Sequence, residues 1–543
     1  MNSDTALVSV GFSSSSLPNS IEIENFRNLI RSGAPPPDPE ALRATILVTA
    51  AELEQYDLRI TEMQKELDRL ISERKTLSSH LDKCRSVLST LYTLPDELLA
   101  EIFDQCFPED LYDISGISTA QDELDRVSHR HVLKLAHVCS RWYRVATNTP
   151  KLWSTIAVDA DCWPKCRVPK STLFALIESS LERGRNHPLT LKIRASRFYN
   201  GAERSLELFL KHAHRWFDVE ILSVNPPPQC LLAETPRLDR LKRLYFDSPP
   251  GGHSWKDTHI FQDAPHLTEL EFHAPPSALP KLPWSQIQTC TQLWSSSDDP
   301  HLNLEVLRHA SRTSTYRFVL DLRNGPNEPW NSDISSEVQS LHIWFSTVEL
   351  RTTGFFFDSL TLPCLQGLSL CLPRPGYMPF PPWAENNFLA LAERSQFCDT
   401  LSNLTIHAML VTDTELLRCL GVLPRLTYLD IADCILDDDT PAPHPPLITD
   451  KLLLALVYVS DGPMLIPRLQ YLRLVTTFGF SESSYRNLVV SRVKKIHDID
   501  GDGPFEANLF WRAAHHKISL ALRTEFAVLQ YRTMLVFVSG WLN

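Results

Sequence analysis

Leu94-Pro-Asp-Glu-Leu-Leu-Ala-Glu-Ile-Phe103 is the stretch on which the reading of this chain turns. Pro95 stands at a helix start, where its missing N–H removes no helical bond. Asp96 and Glu97 fill the first turn, at the positive end of the helix dipole. Leu98, Leu99, Ile102, Phe103 and Cys106 then recur at helical spacing on one face. Leu135-Ala-His-Val-Cys-Ser-Arg-Trp-Tyr-Arg-Val-Ala146 predicts a second helix with Leu135, Val138, Cys139, Trp142 and Val145 aligned, and Asn148-Thr-Pro-Lys-Leu-Trp153 closes the segment. A bundle this small cannot bury so many large side chains within itself, so some are expected to seek a partner helix.

The segment resembles the F-box family. Leu94 to Phe103 follows that family's opening Leu-Pro-x-Glu-hydrophobic-hydrophobic-x-x-Ile-Phe pattern; Val138, Cys139 and Trp142 follow its Val-Cys-x-x-Trp pattern, and Leu152 and Trp153 its closing Leu-Trp. The departure is a long polar insertion at 107–134, a length that a surface loop tolerates. The resemblance implies binding to a Skp-type adaptor, and through it to a cullin scaffold in an SCF ubiquitin ligase. The implied adaptor-binding residues are Leu94, Pro95, Leu98, Leu99, Ile102, Phe103, Leu135, Val138, Cys139, Trp142, Leu152 and Trp153. Apolar anchors such as Leu94, Leu98, Ile102, Val138 and Trp142 are each worth about 1.5–3 kcal/mol on full burial. The competing reading is that members of the set, Phe103, Cys139 and Trp142 above all, simply pack the module's own core.

Before this module, residues 1–39 are rich in Ser, Pro and small polar residues and are expected to be a flexible tail. From Glu40 no Gly or Pro occurs until Pro95, and residues 40–93 read as a coiled-coil helix. Its a positions are Ile46, Leu53, Ile60, Leu67, Arg74, Leu81 and Leu88; its d positions are Thr49, Tyr56, Met63, Leu70, Leu77, Cys84 and Leu91. Such a seam suits packing along one partner helix, either another copy or another part of the chain. A heptad helix running straight into this module also looks like a large group of fungal F-box proteins.

After the module a degenerate repeat appears. Pro265–Phe272, Pro363–Leu370, Pro424–Ile431 and Pro467–Leu474 share one Pro-x-Leu-x-x-Leu frame, with weaker copies at Leu241–Phe246, Val338–Ile343 and Leu401–Ile406. Several spacings approach those of leucine-rich repeats, so residues 157–480 are expected to form an irregular α/β leucine-rich-repeat-like solenoid, with 481–543 a helical cap or tail. The alternative is an unrelated α/β domain with Leu-rich strands. In a solenoid the interleaved residues Glu269, Glu271, His342, Trp344, Thr405, Tyr428, Asp430, Tyr471 and Arg473 face the concave surface, and His342, Trp344, Tyr428, Asp430, Tyr471 and Arg473 are the candidate target-binding residues. The expected whole is multidomain α+β, with the F-box bundle at 94–156 between coiled coil and solenoid.

Bulk properties narrow the function. At 543 residues and a net charge of -12, with no basic stripe, nucleic acid and acidic membranes are not expected partners. Twelve cysteines without paired spacing read as reduced, buried thiols. The start lacks a basic segment followed by an apolar run, and no stretch reaches the about 20 apolar residues of a membrane helix; cytosol or nucleus is the expected compartment. Asp498-Ile-Asp-Gly-Asp-Gly503 begins like a calcium loop but has Leu509 where a bidentate Glu is needed. Cys162 and Cys166 lack a second pair, His515 and His516 are adjacent, and no nucleotide-binding or nucleophile-elbow motif occurs. No metal, cofactor or enzymatic activity is expected.

Overall fold

The computed structural model describes residues 20–33, 35–88, 90, 93–107, 127, 129–195, 200–222, 230, 236–247, 255–273, 279–293, 304–321, 333–347, 350–372, 380–434, 445–459, 464–495, 505–511 and 533–537. Asp498–Gly503, His515, His516 and most of the 107–134 insertion lie outside them. Two units separate, Met1–Pro95 and Asp96–Asn543.

The first unit holds α1 (Ser20–Ser32) and α2 (Pro39–Val87). Helix α1 falls within the segment expected to be a flexible tail, whose residues 20–32 are therefore helical. Asp38 starts α2 by accepting the N–H groups of Glu40 and Ala41 at 3.1 and 3.0 Å, with Pro39 in the first turn. Over its 49 residues α2 has no buried side chain. Among the described residues no helix is long and apolar enough to cross a membrane.

The second unit opens with α3 (Asp96–Gln105), α4 (Arg130–Ala136), α5 (Ser140–Asn148) and a 3₁₀ turn at Pro150–Trp153. Helix α4 starts inside the expected insertion, five residues before Leu135. Strands follow: β1 (Thr155–Asp159), β2 (Leu189–Arg194), β3 (Trp216–Leu222), β4 (Arg243–Asp247), β5 (Glu269–His273), β6 (Thr289–Gln292), β7 (Thr315–Asp321), β8 (Ile334–Ser335), β9 (Ser340–Thr347), β10 (Leu360–Thr361), β11 (Gly367–Cys371), β12 (Asn403–His407), β13 (Tyr428–Ala432), β14 (Tyr471–Thr476), β15 (Glu506–Trp511) and β16 (Thr533–Phe537). Fourteen of these form one sheet, every pairing parallel and each strand beside its predecessor in the chain; β8 and β10 pair separately.

Side chains alternate across a strand, so this register stacks like on like. Leu341, Leu368, Leu404, Leu429 and Leu472 stand opposite one another, as do Ile343, Leu370, Ile406, Ile431 and Leu474. All ten are buried. A parallel connection must cross over before the next strand begins. The crossovers bring Leu173, Ile177 and Leu181 of α6 (Lys170–Arg183), then Phe209, Phe356, Phe388, Leu416, Leu452 and Leu488 of later helices, into one continuous core with the strand leucines.

The expectation of a helical cap or tail at 481–543 holds for its first helix and not for the strands beyond it. The helix Glu482–Lys495 leads into β15 and β16, which extend the sheet. Glu506-Ala-Asn-Leu-Phe-Trp511 lacks the Pro-x-Leu lead of earlier copies, so its strand carries no repeat signature. The sheet also starts at Thr155, inside the segment assigned to the helical module. All twelve cysteines are free, yet only Cys162, Cys290 and Cys419 are buried.

Helix C-termini leave backbone carbonyls without donors, and three arginines, Arg215 and Arg492 buried and Arg394 more exposed, donate to such carbonyls and to those of the loops that follow. Arg215 donates to the Leu181 carbonyl at 2.8 Å. Arg394 donates to those of Phe357 and Leu360 at 2.8 and 2.7 Å. Arg492 donates to Leu456, Ile466 and Leu465 at 2.9, 2.8 and 3.0 Å. Replacing Arg492 by Met keeps the stem and takes the guanidinium donor from three carbonyls, of which only Ile466 keeps another, the Leu469 N–H. The expected loss is about 3 kcal/mol of unfolding free energy, read by denaturant titration; a change under about 0.5 kcal/mol would show that the carbonyls find other donors.

Candidate functional site

The helical module closes around Leu99, Phe103, Val132, Ala136, Val145, Ala146, Leu152 and Trp153. Cys139 caps α5, its sulfur accepting the Trp142 N–H at 3.5 Å. Trp142 lies against Phe103 with ring centres 4.9 Å apart. Asp96 takes Arg141 at 2.8 Å and Arg144 at 3.5 Å, tying the start of α3 to α5. Lys151 reaches Asp104 at 2.7 Å and fixes the closing turn to the end of α3.

This packing divides the twelve sequence-predicted residues. Leu99, Phe103, Leu152 and Trp153 are core, unavailable to a partner without unfolding. Leu94, Leu135, Cys139 and Trp142 are half-buried and Pro95 is exposed. Leu98, Ile102 and Val138 keep 54, 43 and 59 % of their surface in solvent. Leu98 and Ile102 are one helical turn apart and share a stripe of α3, while Val138 sits in the link between α4 and α5. Tyr143 of α5, at 54 %, joins the exposed apolar set. It lies off the Leu135–Val145 stripe, so its periodicity gave no warning.

The module is joined to the sheet by buried polar chemistry. Trp153 Nε1 donates to the Ala146 carbonyl at 2.8 Å, and the Arg183 guanidinium of α6 lies 4.4 Å from its ring centre. His129, fully buried, donates from Nε2 to the Thr155 carbonyl at 3.1 Å and holds Ser180 Oγ 3.0 Å from Nδ1. Burial pushes its pKa down to about 4, against the pull of the backbone acceptors and with help from Arg183. Neighbouring His131 is held at about 3 by burial and by His129 and Lys134.

On the sheet, residues interleaved with the leucines share the other face. His342, Ser369, Thr405, Asp430 and Arg473 form one row in register, and Trp344 stands opposite Cys371. Tyr428 and Tyr471 stack with ring centres 4.6 Å apart and planes 2° from parallel. The predicted target-binding set is thus brought together at Tyr428, Asp430, Tyr471 and Arg473, with His342 and Trp344 three strand positions away on β9. Asp430 is itself buried, accepting His407 Nε2 at 2.7 Å and Arg473 Nη1 at 3.0 Å. It orders its neighbours and does not face outward. Arg473 also covers the Phe510 ring at 4.7 Å. His407, which sequence reasoning passed over, is the hub of this cluster. Burial alone would lower its pKa, but the Asp430 bond, a bond to Cys371 and the Asp430 charge raise it to about 9.

The site is thus a small helical module with apolar side chains turned to solvent, built onto a long parallel sheet. Residues 91–159 match the family model described as F-box-like. The chain carries an F-box-like domain there. No curated protein matches it.

The histidines set opposite pH limits. Folded pKa values below the ordinary 6.5 at His129 and His131 give stability that is complete above that value and lost as pH falls toward about 4. The raised value at His407 gives stability complete below 6.5 and lost as pH rises through about 9. Thermal unfolding followed from pH 4 to 10 should show both declines. His407→Gln should flatten only the alkaline one; an unchanged alkaline limb would remove His407 as its source.

Proposed function

We propose that this chain is the substrate-receptor subunit of an SCF-type cullin ubiquitin ligase. The observation that carries the reading is an F-box-like match over a well-packed module from which Leu98 and Ile102 of α3 and Val138 of the α4–α5 link project into solvent. These side chains, with Pro95 and half-buried Trp142, are the ones to meet a Skp-type adaptor, which would bring the cullin. A few central apolar anchors commonly dominate such contacts.

The target reader is the leucine-rich-repeat-like sheet. Strands laid down in chain order with buried leucines in register support a solenoid reading, in which each unit contacts its neighbours. Its interleaved face, with the stacked Tyr428 and Tyr471 beside Arg473 and His407, is the target-facing surface. The chain would contribute no chemistry of its own. It would raise the local concentration of target lysines near the ubiquitin carried by other subunits, in cytoplasm or nucleus. A scaffold role without ligase engagement is the second reading, favoured by the unburied apolar seam of α2.

Co-purification of the full chain with a Skp-type adaptor tests the first reading. Wild type should bind in equal amounts. Leu98→Asp combined with Ile102→Asp should weaken binding about 100-fold or more, two anchors at about 1.5 kcal/mol each. Its melting temperature should hold, because both side chains are already exposed. Absence of wild-type binding, or a double variant that binds as wild type does, would leave the scaffold role in place.

A further inference from the structure

Helix α2 combines the longest apolar seam among the described helices with no buried residue. Ile46, Leu53, Ile60, Met63, Leu67, Leu70, Leu77 and Leu81 each keep between 48 and 70 % of their surface exposed. In proteins most helical stability comes from packing of an apolar face, and α2 has such a face with none of it buried. The occupant can be read from the seam itself.

In a parallel, in-register pair of α2 helices, Arg74 at position a would face the partner's Arg74, and Glu52 would flank the partner's Asp57. Both contacts set like charges together, and no flanking pair is attractive. An antiparallel pair symmetric about Lys65 removes them. Ile46 then faces the partner's Cys84, Leu53 the partner's Leu77, Ile60 the partner's Leu70, and Leu67 the partner's Met63. Arg74 meets the partner's Tyr56, a cation over an aromatic ring, and Leu81 meets the partner's Thr49. Flanking positions bring Arg59 to the partner's Glu73 and Glu52 to the partner's His80. The like contacts left are Glu66 with the partner's Glu66 and Arg43 with the partner's Arg85. Each is muted within its own helix: Arg69 holds Glu66 and Glu40 holds Arg43, both at 2.7 Å. Every layer lies inside Pro39–Val87. The seam from residue 46 to 84 is about 57 Å long on a helix about 10 Å wide, a strip of roughly the 600–1,000 Å² per partner found in stable interfaces.

We propose that α2 pairs with α2 of a second copy of this chain as an antiparallel coiled coil centred at Lys65. The native Cys84, exposed and free, supplies the probe. With Ile46→Cys in the full-length protein, mild oxidation should link residue 46 of one copy to the partner's Cys84, giving a covalent dimer in denaturing electrophoresis. Ile46→Cys with Cys84→Ser should not give that link, which peptide mapping identifies. Sedimentation should find wild type dimeric and Ile60→Asp/Leu70→Asp monomeric, with unfolding of the remaining chain unchanged because neither side chain is buried. A Cys84-to-Cys84 link in wild type would mean a parallel pair and overturn the proposal. A wild-type monomer at micromolar concentration, or a dimer that survives Ile60→Asp/Leu70→Asp, would overturn it equally. None of these readouts involves the adaptor, so the proposal stands or falls apart from the ligase reading.

Discussion

Parallel strands laid side by side in chain order impose the constraint from which the second unit follows. No tight hairpin can join parallel neighbours, so every connection must travel back along the sheet before the next strand begins. Here the crossovers share one core with the strand leucines, which makes that face the protein interior. Among the described residues no crossover helix of that core covers the opposite face, and its side chains pair with one another across strands. Arg243 sits between Asp218 and Glu271, Lys192 against Glu220, and His407 and Arg473 around Asp430. The buried core and the polar face are therefore two sides of one pattern of alternation.

Burying so many helix ends beside a sheet creates an accounting problem for backbone carbonyls, which the arginines resolve. Arg215, Arg394 and Arg492 each extend from one unit to the terminal carbonyls of the helix before it, linking successive crossovers by charged donors. The joint to the helical module uses a neutral donor, His129, whose bond to the Thr155 carbonyl ties the loop before α4 to the first strand. Trp153 is packed in the same joint. The module is thus built into the first turn of the sheet, and the spacing between its exposed face and the sheet face is set by a few buried contacts.

Much of this was legible in the residues. The seven Leu-rich frames all became strands of the one sheet, because a buried leucine at every second position leaves few alternatives. Strands such as Thr289-Cys-Thr-Gln292 and Thr315–Asp321 were missed, since Cys290, Tyr316 and Phe318 fill the leucine places with other bulky groups. The module's motif located its helices but did not separate core from surface. Leu98 and Leu99 are equal in the pattern, yet one is outside and one inside, because a helix of ten residues turns 100° per step and only packing decides which side is covered. His407 carried no motif at all; its importance comes from Asp430 on the adjacent strand, a neighbour set by register and distant in sequence.

Chain-order stacking also bears on how such a protein can diversify. Because each strand touches only the strands before and after it, a substitution on the interleaved row is felt by two neighbours and by nothing at the other end of the sheet. Duplication or loss of one strand-and-crossover unit lengthens or shortens the surface while leaving the helical module at its origin undisturbed. On the proposed receptor reading, target specificity can therefore change by editing single units while the adaptor-binding end is inherited intact.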